Sequence, residues 1–317
     1  MEKSSLYSHC NLCPNNCGVD RNNGQVGRCG QTSDIRIAWA GLHKGEEPPI
    51  SGRHGSGMIF FCGCPLHCQY CQNYQISDIG GFNGISISEE ELVTLMLELQ
   101  YFGAKTINLV TGTHYIPSII WAINEAKKEG LRIPIVWNSS GYESVSALRM
   151  IDPLIDIYLI DVKTLDAGVA TRLCGLQSYV PNIIDVMKFL KRRYPETDLD
   201  DAQSGVLVRH LVFPGCVQES AQVLGWLHDN FESNFEISLM FQFVSPKKDD
   251  SLENISRDDA RYLKDLYDKY DFDGYVQQIS DDESEWIPNF TKDLPFPKNF
   301  AKTLPYFLKL KTERLKG

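Results

Sequence analysis

The residues best suited to chemistry are four cysteines within ten positions, CGCPLHCQYC at residues 62–71. The last three of them, Cys64, Cys68 and Cys71, have the spacing C-x3-C-x2-C. A structural zinc ion needs four ligands, and Cys62 is a possible fourth, although only one residue separates it from Cys64. Three thiolates suit a [4Fe–4S] cube whose fourth iron stays free for an exogenous ligand. We therefore expect an open iron–sulfur site, with zinc as the alternative.

A second group of thiols lies near the N-terminus, where Cys10, Cys13, Cys17 and Cys29 have the spacing C-x2-C-x3-C-x11-C. The surrounding segment is rich in Cys, Asn and Gly and has little apolar material to bury. We expect such a segment to need a metal to hold its shape. Four thiols suit either tetrahedral zinc or a fully ligated iron–sulfur cluster. The sequence leaves both open, together with no metal at all.

Composition narrows the class of protein. The chain has 317 residues, 43% of them hydrophobic, which is enough for a sizeable core. Its net charge of -10 argues against nucleic acid as a partner. No apolar run reaches ~18 residues, so we expect no membrane span. The start MEKSSLYSHC lacks the apolar region of a secretory signal. We expect a cytoplasmic protein, in which ten cysteines favour metal or redox chemistry over disulfides.

The elements that must position these residues are read from apolar periodicity. Near-continuous apolar runs, typical of parallel strands buried on both faces, predict strands at 57–63, 105–113, 133–141, 155–163, 205–213 and 235–243. Helical spacing between and after them predicts helices at 88–103, 117–130, 144–150, 180–193, 220–231 and 256–270. This alternation predicts a parallel α/β fold, either an open barrel or a doubly wound sheet.

Polar residues follow most of these strands, at the edge of the sheet where α/β folds bind ligands. They are Thr111, Gly112, Thr113, His114, Asn138, Ser140, Asp161, Lys163, Arg209, His210 and Gln242. We expect them to share a cavity with the cysteine loop. Simpler interpretations remain for some. His210 is also typical of a core histidine, and Asp161 and Lys163, two apart on one strand face, are placed for an ion pair.

The motif Cys64-Pro-Leu-His-Cys68-Gln-Tyr70-Cys71 resembles the signature of radical S-adenosylmethionine (SAM) enzymes. The chain from about residue 10 to about residue 280 resembles the pyruvate formate-lyase activating enzyme-like group in INLVTGTHYIP, WNSSGYES, YLIDVKTLD, RHLVFPG and SLMFQFVSP. The resemblance implies a partial (β/α)6 barrel of the radical SAM type. We assign three regions: an N-terminal cysteine-rich metal-binding segment, the radical SAM core, and a basic C-terminal tail packed on the core, at 1–45, 46–290 and 291–317.

The resemblance also implies roles for individual residues. Cys64, Cys68 and Cys71 would hold a [4Fe–4S] cluster that binds SAM and, when reduced, splits it into methionine and a 5′-deoxyadenosyl radical, which takes a hydrogen atom from a substrate. Tyr70 would pack near the adenine. The family's Gly-Gly-Glu is absent, and Thr111, Gly112 and Thr113 stand in its place. The remaining residues expected near SAM are His114, Asn138, Ser140, Asp161, Lys163, Arg209, His210 and Gln242.

The group that the chain resembles implies an activase that installs a glycyl radical in a partner enzyme. A flavodoxin- or ferredoxin-type protein would supply electrons, and the open cluster would require an anaerobic setting. The alternative is a radical SAM enzyme acting on another peptide, a sugar or a small molecule. In an epimerase of that kind a thiol such as Cys174 would return a hydrogen atom to the substrate, although Cys174 and Cys216 are also typical of small buried residues. A non-enzymatic zinc-binding protein is the remote alternative.

Overall fold

The computed structural model describes residues 3–82, 84–200, 203–231, 234–244, 255–277 and 287–315. The strands are β1 Ile35–His43, β2 Ser56–Phe61, β3 Ile85–Ile87, β4 Ile107–Val110, β5 Ile135–Ser139, β6 Ile157–Asp161, β7 Gly205–Leu211, β8 Glu236–Met240, β9 Gly274–Val276 and β10 Ala301–Thr303. The helices are α1 Lys3–Ser8, α2 Pro48–Ser51, α3 Tyr74–Ser77, α4 Glu89–Tyr101, α5 Ile116–Lys128, α6 Val145–Ile151, α7 Ala167–Val169, α8 Tyr179–Arg193, α9 Val217–Phe231, α10 Arg257–Lys269 and α11 Pro305–Leu315.

The strands form one sheet in the order β10-β1-β2-β4-β5-β6-β7-β8-β9, with β3 paired to β1. From β2 to β9 every neighbouring pair is parallel, and the order follows the chain without a reversal. A doubly wound sheet reverses its order at a switch point, so the observed order is that of an open, partial barrel. The fold class predicted from the sequence is therefore confirmed.

The six predicted strands are present as β2, β4, β5, β6, β7 and β8, each shorter than predicted by one to five residues. All six residues of β2 are buried, as expected for a strand covered on both faces. The sheet also contains strands that the apolar pattern did not predict. The largest is β1, which pairs antiparallel with β2 and also with β10 and β3.

Local signals fix the helices that cover the sheet. At the start of α4 the hydroxyl of Ser88 accepts a hydrogen bond from the amide of Glu91, and the Glu91 carboxylate accepts one from the amide of Ser88. This reciprocal capping box satisfies two amides that would otherwise lack a partner. Helix α5 has a proline in its first turn, where no intrahelical amide bond is lost.

Both ends of the described chain pack on the same apolar core. Tyr7 and Leu12 from the N-terminal segment and Phe307 and Leu310 from α11 are buried in it. Arg314 of α11 also contacts Glu91 of α4 through a 2.6 Å ion pair. Within the described residues, no helix is both long and apolar enough to span a bilayer.

Candidate active site

A cavity of about 640 Å³ lies at the carboxyl ends of the parallel strands. Its size is within the range of about 300–1,000 Å³ that is typical of small-molecule sites. Eleven of the predicted site residues line it: Cys64, Cys68, Tyr70, Cys71, Thr111, Asn138, Ser140, Asp161, Lys163, Arg209 and Gln242. The other predicted site residues do not line it: Gly112, Thr113, His114, Cys174 and His210, and the N-terminal thiols Cys10, Cys13, Cys17 and Cys29.

The cysteine loop follows β2 and is held by its own backbone and by its neighbours. The amide of Cys71 donates to the carbonyl of Cys68 at 3.2 Å, and the amide of Gln69 donates to the carbonyl of Leu173 at 3.0 Å. His67, in the middle of the loop, has a left-handed backbone with φ of 64°. This conformation is uncommon outside glycine, and it lets the chain curl back on itself between Cys64 and Cys68.

The three loop thiols are partly buried, and this burial controls their charge. Burial raises the pKa of Cys64 to about 12 and that of Cys71 to about 11. A hydrogen bond with the Cys174 thiol, together with burial, raises the pKa of Cys68 well above its usual value. Free of metal these groups are neutral thiols, so a bound metal must displace their protons.

The donor set fits an iron–sulfur cube better than zinc. Tetrahedral zinc would bring its sulfurs to about 3.8 Å from one another. Among the described residues, no three His, Cys, Asp or Glu side chains are grouped closely enough to hold a single metal ion. Cys62 does not supply a fourth thiol, because it is fully buried and its sulfur packs against Gly84. A Cβ added at Gly84 would lie 2.7 Å from this sulfur. The three remaining thiols suit a cube that keeps one iron open.

Beside the cysteine loop, a lysine and a carboxylate share the cavity wall. Lys163 Nζ lies 2.7 Å from Asp161 Oδ2 and 5.7 Å from the centroid of the Tyr70 ring. Burial alone would lower the pKa of Lys163, but the Asp161 carboxylate opposes it, and the net pKa is held well above its usual value. A fixed cation thus lies between the loop and the end of β6.

Glu46 and Glu47, which sequence reasoning missed, also line the cavity. Arg209 Nε donates to Glu47 Oε1 at 2.9 Å, and Arg209 Nη2 donates to Glu46 Oε2 at 2.8 Å and to the second oxygen of Glu47. Burial lowers the pKa of Arg209, but the two carboxylates outweigh it, so the guanidinium stays charged. The adjacent acidic pair before the prolines of α2 was the only sequence signal for this cluster.

Thr113, His114 and His210 make contacts within the fold. The Thr113 hydroxyl donates to Glu143 at 2.7 Å, and His114 Nε2 donates to the carbonyl of Cys62 at 2.7 Å. His210 Nδ1 donates to the carbonyl of Val162 at 2.7 Å. Successive residues of a strand point to opposite faces, so Arg209 and His210 cannot both face the cavity. A direct contact of these three residues with SAM stays a prediction.

Cys174 lies behind the cavity wall. It ends a π-helical turn, Ala170–Cys174, and is fully buried, with its sulfur 3.9 Å from the Tyr70 hydroxyl. Single π-helical turns occur frequently at functional sites. Cys216 is also buried and accepts a hydrogen bond from Arg172 at 3.1 Å. Cys174 therefore does not line the cavity but contacts two residues that do, Tyr70 and Cys68. Its catalytic role stays a prediction.

Comparison of the sequence with known proteins finds a family model and a relative. A sequence model described as the radical SAM superfamily matches residues 58–222. The uncharacterized protein MJ0674 of Methanocaldococcus jannaschii is 27% identical over 283 residues, which are 85% of this chain and 77% of that protein.

Two solved structures show limited similarity to the chain. One is SuiB of Streptococcus suis bound to S-adenosylmethionine, at 11% identity and a TM-score of 0.46, covering 71% of this chain. This chain spans about half, 50%, of the length of SuiB. The other is a domain of a pyruvate-formate lyase-activating enzyme from Bacteroides vulgatus, at 14% identity and a TM-score of 0.38, covering 52% of this chain and 92% of that one.

Proposed function

The chain belongs to the radical SAM superfamily, and we propose that it cleaves SAM reductively to obtain a 5′-deoxyadenosyl radical that takes a hydrogen atom from a substrate. The observation that carries this proposal is that Cys64, Cys68 and Cys71 share one loop and line one cavity with the polar strand ends. These thiols would hold a [4Fe–4S] cluster, which when bound supplies the electron that breaks a carbon–sulfur bond of SAM.

The other cavity residues would bind SAM and exclude water. Tyr70 offers an aromatic face for the adenine, with its ring 4.3 Å from that of Phe213. Lys163, held by Asp161, offers a cation to the SAM carboxylate. The apolar cluster that contains Tyr70, Phe213 and Phe243 closes this side of the cavity, which protects a radical from side reactions with solvent.

For the substrate, we propose a glycine residue in a partner enzyme, so that the chain acts as a glycyl radical activase. Resemblance of the sequence to the activating enzymes supports this choice. The cavity also suits an extended main chain, because Asn138, Ser238 and Gln242 place polar side chains along its wall. A flavodoxin- or ferredoxin-type protein would be the electron donor.

A second candidate is a radical SAM enzyme that acts on another peptide, a sugar or a small molecule and returns a hydrogen atom at the end. The observation that favours it is the buried Cys174 thiol, which lies 3.9 Å from the hydroxyl of Tyr70, a cavity residue. A thiol hydrogen can be transferred to a carbon radical, which an activase does not need. The two candidates therefore differ in whether Cys174 is required for turnover.

The first test measures 5′-deoxyadenosine formed from SAM by the anaerobically reconstituted chain with dithionite as reductant. We expect wild type to form it and Cys68→Ala to form none. Cys62→Ala is the matched control, because Cys62 lies in the same segment but is absent from the cavity wall. Formation of 5′-deoxyadenosine by Cys68→Ala would refute the proposal.

The second test separates the two candidates. The chain is incubated anaerobically with SAM, reductant and a candidate glycyl radical enzyme, and the EPR spectrum is recorded. A glycyl doublet supports the activase. Two results together support the second candidate. One is SAM turnover without that doublet, and the other is loss of 5′-deoxyadenosine turnover in Cys174→Ala but not in Cys216→Ala.

A further inference from the structure

The four N-terminal thiols are drawn together by the backbone of their own segment. The amide of Cys10 donates to the carbonyl of Val19 at 3.1 Å, and the amide of Gly18 donates back to the carbonyl of Cys10 at 2.9 Å. The amide of Arg28, next to Cys29, donates to Cys17 Sγ at 3.4 Å. Cys13 lies close enough to Cys10, Cys17 and Cys29 for charges on them to interact with it. The four thiols form a single group, which we call the N-terminal thiol site.

Hydrogen-bond donors point at the sulfurs of this site. Besides the Arg28 amide, Asn15 Nδ2 lies 3.6 Å from Cys13 Sγ. Gly27 packs so close to Cys17 that an added Cβ would lie 2.8 Å from its sulfur, so a side chain there would collide. Donors of this kind stabilise metal-bound thiolates, whose negative charge makes them better acceptors than neutral thiols.

A buried cation next to the site also calls for negative charge. Arg21 is 1% exposed, and its Nη1 lies 4.0 Å from Cys10 Sγ. In the described part of the chain its hydrogen bonds go to the carbonyl oxygens of Gln31, Thr32 and His114, which are neutral. A buried charge is costly unless an opposite charge accompanies it. Four thiolates on a metal centre would supply that charge.

Zinc and an iron–sulfur cluster need different distances between their thiolate ligands. Four sulfurs around one zinc ion would lie about 3.8 Å apart. Over the described residues, which include all four cysteines, no group is tight enough to hold a single ion. In an iron–sulfur cluster the thiolates bind different irons or the outer corners of a larger core, so they lie farther apart.

The N-terminal thiol site abuts the cysteine loop. Asn15 Nδ2, the group beside Cys13 Sγ, donates to the carbonyl of Pro65 at 2.9 Å, and Pro65 follows Cys64 in the chain. Arg28 Nε donates to the same carbonyl at 3.2 Å. A short route of bonds and hydrogen bonds therefore leads from Cys13 through Asn15 and Pro65 to Cys64.

Two further contacts tie the same surfaces together. His67 Nε2 donates to the carbonyl of Arg28 at 2.6 Å. An added Cβ at Gly63 would lie 2.5 Å from the carbonyl oxygen of Cys29, so only glycine permits this approach. Cys13 and Cys17, in contrast, are only partly buried, so one side of the site is open to the outside.

We propose that Cys10, Cys13, Cys17 and Cys29 hold a second iron–sulfur cluster that passes electrons to the SAM-cleaving cluster. A one-electron donor of the flavodoxin or ferredoxin class is oxidised as it reduces the N-terminal cluster. That cluster is reoxidised as it reduces the SAM-cleaving cluster, so one donor electron is used for each SAM cleaved. This inference rests on the proposed SAM cleavage.

The first experiment measures iron, sulfide and zinc in the full wild-type chain after anaerobic reconstitution, with EPR of the reduced protein. Two four-iron clusters would give about eight irons with matching sulfide, and two reduced-cluster signals. About four irons with one zinc, or about four irons and no other metal, would overturn the inference while leaving the proposed function intact.

The second experiment compares Cys17→Ser with Cys216→Ser, a buried cysteine outside both thiol groups. Cys17→Ser is expected to lose the N-terminal cluster's iron and EPR signal and to keep the signal of the SAM-cleaving cluster. Reduction of that remaining cluster, followed by absorbance, should be lost with reduced flavodoxin and retained with dithionite. Cys216→Ser should match wild type in all readouts.

Two results would overturn the relay. One is unchanged iron content in Cys17→Ser, and the other is reduction of its SAM-cleaving cluster by flavodoxin at the wild-type rate. If Cys17→Ser does not fold, Cys13→Ser, which removes another ligand of the same site, takes its place in this experiment. Failure of wild type to form 5′-deoxyadenosine with any reductant, despite two clusters, would refute the proposed function and not the second cluster.

Discussion

Arg209 and Glu47 form a buried ion pair inside the cavity, with Arg209 Nε donating to Glu47 Oε1 at 2.9 Å. The Glu47 carboxylate accepts a second bond from Arg209, and Glu46 binds the same guanidinium. Burial raises the pKa of Glu47, but Arg209 outweighs it, so the net pKa is lowered and the carboxylate is charged. The pair links the end of β7 to the segment before α2, across the cavity.

Removal of the Glu47 charge should leave the Arg209 guanidinium with one of its two carboxylate partners, Glu46. We expect Glu47→Gln to lower the free energy of unfolding by about 2 kcal/mol, because Arg209 loses its charged hydrogen bonds to Glu47 and keeps Glu46 as its carboxylate partner. Denaturant unfolding measures this. The control is Glu125→Gln at the exposed pair with Lys128, for which less than about 1 kcal/mol is expected. Equal effects of the two substitutions would contradict the prediction.

His210 should make the stability of the fold depend on pH. Burial lowers the pKa of His210 to about 4, while an unfolded histidine titrates near 6.5. Between these values the unfolded chain binds a proton that the folded chain does not. The wild-type free energy of unfolding should therefore fall with falling pH by up to about 1.4 kcal/mol per unit from this group.

His210→Asn removes the titration and keeps a side-chain donor for the Val162 carbonyl. We expect the variant to lose less stability than wild type between pH 6.5 and 4, as measured by denaturant unfolding at several pH values. Other groups titrate in both proteins, so the quantity to compare is the slope of the unfolding free energy against pH in the variant and in wild type. Identical slopes would show that His210 is accessible to protons in the fold.

Glu143 should make the stability of the fold depend on pH in the opposite direction to His210. Its carboxylate accepts bonds from Thr113 and Trp137 through Oε1, while Oε2 is buried and has no hydrogen-bond partner among the residues that the structure describes. Burial raises the pKa of Glu143 above its usual value of 4.5, so the folded protein keeps a proton that the unfolded chain releases. Stability is therefore lost as pH rises above 4.5.

Glu143→Gln has a neutral side chain of the same shape and does not titrate. The free energy of unfolding of the variant relative to wild type should increase as the pH rises from 4.5 towards neutrality. Thr113→Val, which removes the donor to Oε1, should be less stable than wild type at every pH in that range. A Gln variant that loses stability relative to wild type with rising pH would contradict the prediction.

The sequence predicts the parallel strands because their burial on both faces leaves near-continuous apolar runs. It does not predict β9 and β10, which have three residues each and are partly exposed, too short for any pattern to be recognised. Strand β1 was also missed. It is buried, but it pairs antiparallel at the start of the sheet, outside the alternation of strands and helices on which the prediction rested.

The sequence predicts which strand ends meet at the cavity but not which side chains at those ends face it. Strand ends converge in any parallel α/β fold, which is why Asp161 and Asn138 could be assigned to one cavity. Which of two adjacent residues faces the cavity depends on strand register, so Arg209 could not be separated from His210. Glu46 and Glu47 enter the site from a segment before the first predicted strand, through a tertiary contact that leaves no periodic signal.

Tyr70 gives the most direct test of how the cavity would hold SAM. Its ring packs 4.3 Å from Phe213 and lies 5.7 Å from Lys163 Nζ, so its position is fixed from two sides. Stacking of a base on an aromatic ring is worth about 1–3 kcal/mol. Tyr70→Ala should therefore raise the Kd for SAM by about five- to 150-fold.

Tyr70→Phe is the matched control, because it keeps the ring and removes only the hydroxyl, which lies 3.9 Å from Cys174 Sγ. We expect its Kd for SAM, measured by anaerobic equilibrium dialysis on protein of equal iron content, to stay near that of wild type. If Tyr70→Phe weakens binding as much as Tyr70→Ala, the hydroxyl and not the ring carries the contact. If neither variant weakens it, the adenine lies elsewhere in the cavity.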